Sequence, residues 1–176
     1  MAWFMGALSF LNGSKSPPAS AKVPAFNPRF PTPVVMAAQD AQTKWRVPVC
    51  TQLAQWAIES GYGAHSPGNN PFGMKPRAGK SDPCQMLATT EWSKAKGYYK
   101  VDQPFRVFPS IGAAFDAHAQ LIATAPVYSQ AMAALPDVNT FIDRMAAHYA
   151  TDPAYAGKLK SMIATNNLSQ YDQVNP

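Results

Sequence analysis

The apolar periodicity of this chain changes once along its length and then changes back, and that alternation limits its fold more than any other feature. From Val34 to Trp45 the pattern is helical, and after Pro48 it is helical again: Val49, Leu53, Trp56 and Ala57 stand at i, i+4, i+7 and i+8, one side of a buried helix. A loop rich in Gly, Pro and Asn follows from Gly61 to about Cys84. Between Gln85 and Phe108 the period shortens. Met86 to Trp92, Tyr98 to Val101 and Phe105 to Phe108 are β-prone runs split by turn residues, and they predict a small antiparallel lobe. Helical spacing then returns. Ser110 is expected to cap a helix through Ile122, and further helices are expected from Val138 to about Tyr149 and from Pro153 to about Thr165, the last with Asp152 as N-cap and Pro153 at N1. The fold class is therefore α+β, a mostly helical core with one β insertion and no internal repeat.

At 176 residues the chain is long enough for one domain with its own core. Residues 1–33 hold Pro17, Pro18, Pro24, Pro28, Pro31 and Pro33, and read as a proline-stiffened arm ahead of a domain spanning 34–170. Their apolar start, Met1 to Leu11, is too short to span a membrane. It lacks the positive n-region and clear cleavage site of a secretory signal, leaving an atypical targeting segment as the alternative. Two cysteines, Cys50 and Cys84, are too few for a disulfide framework, and either one bridge or two free thiols fits the sequence. The formal charge of +5 is concentrated: Lys75, Arg77, Lys80, Lys94, Lys96, Lys100 and Arg106 face only Asp82, Glu91 and Asp102. Such a rim suits an anionic polymer or simply solubilises a loop. No basic-aromatic module for nucleic acid is present.

Glu59 ends the second helical segment, in Ala-Gln-Trp-Ala-Ile-Glu-Ser-Gly-Tyr-Gly, where Gly61 and Gly63 stop the helix. The negative end of the helix dipole and a tryptophan flank at Trp56 both disfavour an ionised carboxyl there. An acid that keeps its proton can deliver it to a leaving oxygen, the first requirement of glycoside hydrolysis. The bland reading is an exposed helix-end carboxylate. The only other glutamate is Glu91; the remaining eight acids are aspartates. Two carboxylates on separate elements can divide the roles of acid and of base or cation stabiliser, although a strand glutamate between Thr90 and Trp92 is often merely solvated.

The loop Asn69-Asn70-Pro71-Phe72-Gly73-Met74-Lys75 can offer amides to sugar hydroxyls while Phe72 anchors it, or can be a plain turn. Tyr149 and Tyr155 flank a helix start, where a hydroxyl can orient substrate or water, or where two rings simply pack a junction. His65, His118 and His148 form no metal-binding motif, so no metal or cofactor is expected. Ser60 lacks a nucleophile elbow, and nothing around Cys50 supports a cysteine peptidase.

Four motifs occur in one order: Glu-Ser-Gly-Tyr-Gly at 59–63, Asn-Asn-Pro-Phe-Gly-Met-Lys at 69–75, Thr-Thr-Glu-Trp with Phe-Arg-Val-Phe-Pro-Ser between 89 and 110, and Tyr-Ala-Thr-Asp-Pro-Ala-Tyr-Ala-Gly-Lys-Leu at 149–159. Together they resemble the glycoside hydrolase family 73 domain, the glucosaminidase domain of bacterial autolysins and of the flagellar peptidoglycan hydrolase, over about residues 34 to 167. The resemblance implies a lysozyme-like fold whose β-lobe flanks a substrate groove, and cleavage of the β-1,4 bond between N-acetylglucosamine and N-acetylmuramic acid. By position it assigns Glu59 as general acid, Glu91 as the second glutamate of the lobe, and Tyr149 as the favoured active-site tyrosine. Tyr62, Asn70, Phe72, Trp92 and Tyr155 are the expected substrate-binding residues. Tyr62 stands where tryptophan is usual and Pro71 where leucine is common.

Two completions of the reaction follow, one using the sugar's own acetamido group and one a water activated by Glu91. Competing functions are a muramidase or chitinase on the same fold and a non-catalytic peptidoglycan-binding module. The expected partner is the peptidoglycan glycan strand, met by a monomer acting in the periplasm or cell wall without stable membrane insertion. The context is that of an endolysin, an autolysin or flagellar hydrolase, or a delivered toxin, and the last predicts a dedicated inhibitor protein.

Overall fold

The computed structural model describes residues 27–93 and 97–172; for residues 90–93 and 98 the backbone alone is described. Among the described residues six α-helices and a hairpin, joined by short 3-10 turns, form the architecture: α1 (Thr32–Trp45), α2 (Val49–Ser60), β1 (Cys84–Ser93), β2 (Gly97–Arg106), α3 (Ile111–Thr124), the one-turn α4 (Ser129–Met132), α5 (Val138–Tyr149) and α6 (Tyr155–Thr165). The core runs through the middle of the helical part, where Leu53, Phe115, Ile122, Phe141, Ile142, Met145, Leu159 and Leu168 are fully buried. α1 packs along α3, and Asp116 on α3 ties the end of α1, accepting from Lys44 Nζ and Trp45 Nε1 at 2.8 Å each.

Local chemistry explains most boundaries. Ser110 Oγ accepts the Ala113 N–H at 3.2 Å and starts α3 as expected, while Asp137 caps α5 through Asn139 and Thr140. α2 ends because Gly61 takes φ 57°, a left-handed conformation that glycine adopts without penalty, and returns its N–H to Ala57.

Several boundaries differ from the sequence reading. α6 begins at Tyr155, two residues later than expected, because the Asp152 carboxylate accepts from the Ala154 N–H at 2.9 Å and from Lys158 Nζ at 2.6 Å and holds a turn ahead of the helix. α1 opens at Thr32 and Phe30 is buried in the core, so residues assigned to the arm already belong to the folded unit. The rest of that arm, residues 1–26, lies outside the described residues. The three β-prone runs make two strands. β2 continues from Gly97 to Arg106 through Pro104, which a two-stranded sheet tolerates because each strand has a free edge.

The antiparallel register runs from Cys84 opposite Arg106 to Ser93 opposite Gly97. Asp82 fastens the base of this hairpin, bonding the Arg77 guanidinium at 2.6 Å and lying 3.6 Å from Arg106 Nε. Of the two states open to the cysteines, the fold adopts free thiols, with Cys50 buried and Cys84 exposed. Among the described residues no helix is long and apolar enough to cross a membrane.

Candidate active site

The last turn of α2 carries Glu59 to the surface between the helical core and the foot of the hairpin. The residue is exposed, and its Oε1 accepts a 2.5 Å hydrogen bond from the Tyr155 hydroxyl. Beside it lies a cavity of about 160 Å³ walled by His65, Asn70 and Gly73 from the loop and by Leu87 and Phe105 from the two strands. Trp56, about one turn earlier on α2, is buried. That ring packs against Phe30 and Tyr62, at centroid distances of 5.8 and 6.2 Å, and what the fold supplies to the carboxyl is a hydroxyl donor. Ser60 is buried and structural, donating to the Trp56 carbonyl and accepting from the Gly63 N–H.

The loop wall is held from within. Asn70 donates to the carbonyls of Met74 and Arg106 at 2.9 and 3.0 Å and accepts the Met74 N–H at 2.9 Å, so its amide clamps the loop to the end of β2. Asn69 donates to the Phe108 carbonyl at 2.9 Å. Gly68, at φ 64°, lets the chain pass so closely that a β-carbon there would fall 2.5 Å from Gln85 Nε2. Phe72 turns inward and stacks on His118 at 3.9 Å with its plane tilted by 12°. Asn70 and Phe72 thus shape the cavity wall through contacts inside the protein.

Behind Glu59 the two tyrosines stack, centroids 5.6 Å apart and planes 11° from parallel. Tyr155 reaches the carboxylate; Tyr149 is turned to His118, its hydroxyl 3.1 Å from Nε2. Burial, followed by the hydrogen bond to Glu59, raises the Tyr155 phenol above its ordinary range, and burial raises Tyr149 as well. Both therefore stay protonated, and Tyr155 donates to Glu59. His118 is 1% exposed and burial pushes it down to about 3, so it is a neutral ring, and its Nδ1 has no hydrogen-bond partner among the described residues.

His118 was visible in the sequence only as a histidine without a metal motif. Its place in the helical stripe Phe115, His118, Ala119 and Ile122 is the signal that marks it as buried.

Of the remaining expected residues, Tyr62 does not line the cavity beside Glu59. Tyr62 is 36% exposed at φ 58°, donates to Met162 Sδ at 3.3 Å, and lines a separate pocket of about 710 Å³ on the other flank of α2. Glu91 and Trp92 stand on β1 opposite Tyr99 and Tyr98, and their side chains lie outside the described part of the molecule. Along the strand Glu91 is four residues beyond Leu87, roughly 13 Å. Of the basic stretch, Arg77 and Arg106 are engaged with Asp82, and Lys75 lies 3.5 Å over the Phe105 ring.

A carboxyl whose Oε1 is occupied by a phenol has Oε2 left to carry and deliver a proton, and the same phenol stabilises the carboxylate that remains. Among the described residues no cluster of His, Cys, Asp or Glu could hold a metal ion.

The model of the glucosaminidase family, described as mannosyl-glycoprotein endo-beta-N-acetylglucosaminidase, matches residues 35–168. The peptidoglycan hydrolase FlgJ of Salmonella typhimurium is 32% identical over 157 residues, covering 85% of this chain and 48% of that protein. A probable N-acetylmuramidase of Lactococcus lactis subsp. cremoris is 34% identical over 133 residues, covering 68% of this chain and 29% of that protein. Among solved structures, the catalytic domain of the autolysin Auto from Listeria monocytogenes superposes with a TM-score of 0.72 at 27% identity, covering 86% of this chain and 92% of that one. The chain thus spans about half the length of FlgJ and less of the Lactococcus protein.

Proposed function

Since this chain belongs to the glucosaminidase family, a lysozyme-like group of glycoside hydrolases, we propose that it hydrolyses peptidoglycan at the β-1,4 bond that follows N-acetylglucosamine, with Glu59 as general acid. The observation that carries this reading is the Tyr155 hydroxyl on Glu59 Oε1 at the edge of a cavity shared by loop and hairpin. A strand lying across the hairpin foot brings its glycosidic oxygen to Oε2, which gives up its proton as the bond to the leaving sugar breaks. The cation-like sugar is then met either by its own acetamido group, with retention, or by a water activated by Glu91, with inversion. The site of action is the cell wall or periplasm.

Digestion of purified sacculi tests the proposal. Fragments should carry N-acetylglucosamine at the new reducing end, and Glu59→Gln should release them at least ~10³-fold more slowly. N-acetylmuramic acid at the reducing end would favour the muramidase reading, which the likeness to the Lactococcus protein motivates. Tight binding without release would favour a binding module. The anomer first released separates the two routes.

A further inference from the structure

The 710 Å³ pocket lined by Tyr62 has no role in the reaction just described, yet it is built on the same two segments, the end of α2 and the start of α6. Its walls include Ile58, the chain neighbour of Glu59 on α2, and Ala154, the chain neighbour of Tyr155. Its volume is in the range of small-ligand sites, about 300 to 1,000 Å³. Ile58, Tyr62, Pro153 and Met162 make it apolar, and the charged residues on its lining are Arg29 and Lys158, both cations, with no carboxylate. Lys158 is paired with Asp152, but Arg29 makes no ion pair with the described residues and rests 5.8 Å over the Tyr62 ring. Ser161, Thr165 and Asn166 add polar groups to the lining, and the pocket suits a ligand that combines apolar groups with a carboxylate for the Arg29 guanidinium, which has no ion pair among the described residues. Peptidoglycan carries such a complement on its muramic sugars, as short peptides of alanines and carboxylate-bearing residues.

We propose that this pocket binds the peptide stem next to the cut site, with Arg29 pairing a stem carboxylate and Ile58, Tyr62 and Met162 packing its apolar groups. The proposal rests on peptidoglycan being the substrate. It makes stem-bearing strands the preferred substrate over bare glycan.

Gly157 gives a clean test. It is exposed in the first turn of α6, and a β-carbon there meets nothing within 4 Å, so Gly157→Glu and Gly157→Lys both fit and both improve helix propensity. The readouts are the ratio of kcat/KM on stem-bearing strands to that on strands stripped by an amidase, and the Kd of a free stem peptide, which does not depend on turnover. Gly157→Glu and Arg29→Ser should each lower the ratio and weaken the peptide about tenfold, whereas Gly157→Lys should preserve both. Equal losses in the Glu and Lys variants, an unchanged ratio, or no binding of the peptide would overturn the proposal. Wild-type protein that binds the peptide but cuts neither strand would support the pocket and overturn the activity.

Discussion

At the scale of single residues, the site turns on which hydroxyl reaches Glu59. The motif Tyr149 to Leu159 offers two tyrosines six positions apart; the residue pattern left their role open, and the family resemblance favoured Tyr149. In the fold Tyr155 makes the bond and Tyr149 backs it, braced in turn by His118 and Phe72. Tyr155→Phe keeps the stacked ring and removes only the donor. Steady-state release of reducing ends from sacculi should then show kcat reduced about 10- to 100-fold, 1.4 to 2.7 kcal/mol of barrier, with KM within about twofold. A larger loss in Tyr149→Phe than in Tyr155→Phe would reverse the assignment. Glu59 itself was legible because a carboxylate before Gly-Tyr-Gly at a helix end is a local pattern. Its partner 96 residues away was not.

At the scale of elements, the hairpin is the part most exposed to acid. The Arg77 side chain donates to Asp82 and, with the Arg77 backbone N–H, holds the carboxyl well below the usual carboxylate range. A carboxyl depressed in this way stabilises the fold above the ordinary aspartate pKa of about 4 and loses that contribution as pH falls through its folded value. Thermal melts should show Asp82→Asn a few degrees below wild type at about pH 7, with the gap narrowing as the pH is lowered below about 4. A pH-independent gap would mean that packing, not charge, is what the substitution removes. The helices and hairpin were readable from periodicity and caps. The three β-prone runs merged because Pro104 sits on a strand with a free edge, and α6 started late because Asp152 bonded a turn instead of the helix.

For the whole molecule, Phe30 ties the chain ahead of α1 into the core. It is 1% exposed and packs on Trp56 and Tyr62, joining the segment before α1 to the helix that carries Glu59. Phe30→Ala should cost about 3 to 5 kcal/mol in denaturant unfolding, a cavity effect, and a change below about 1 kcal/mol would show that the segment is dispensable.

The order of helices and hairpin, the family motifs and the candidate acid were determined by the sequence itself, because each depends on residues within a few turns of one another. Only the tertiary structure decided that Tyr155 meets Glu59, that Tyr62 faces a second pocket, that Phe30 belongs to the core and that Cys50 and Cys84 stay apart. Those contacts join segments far apart in the chain, and packing of the assembled core selects them from many pairings that the local pattern allows equally.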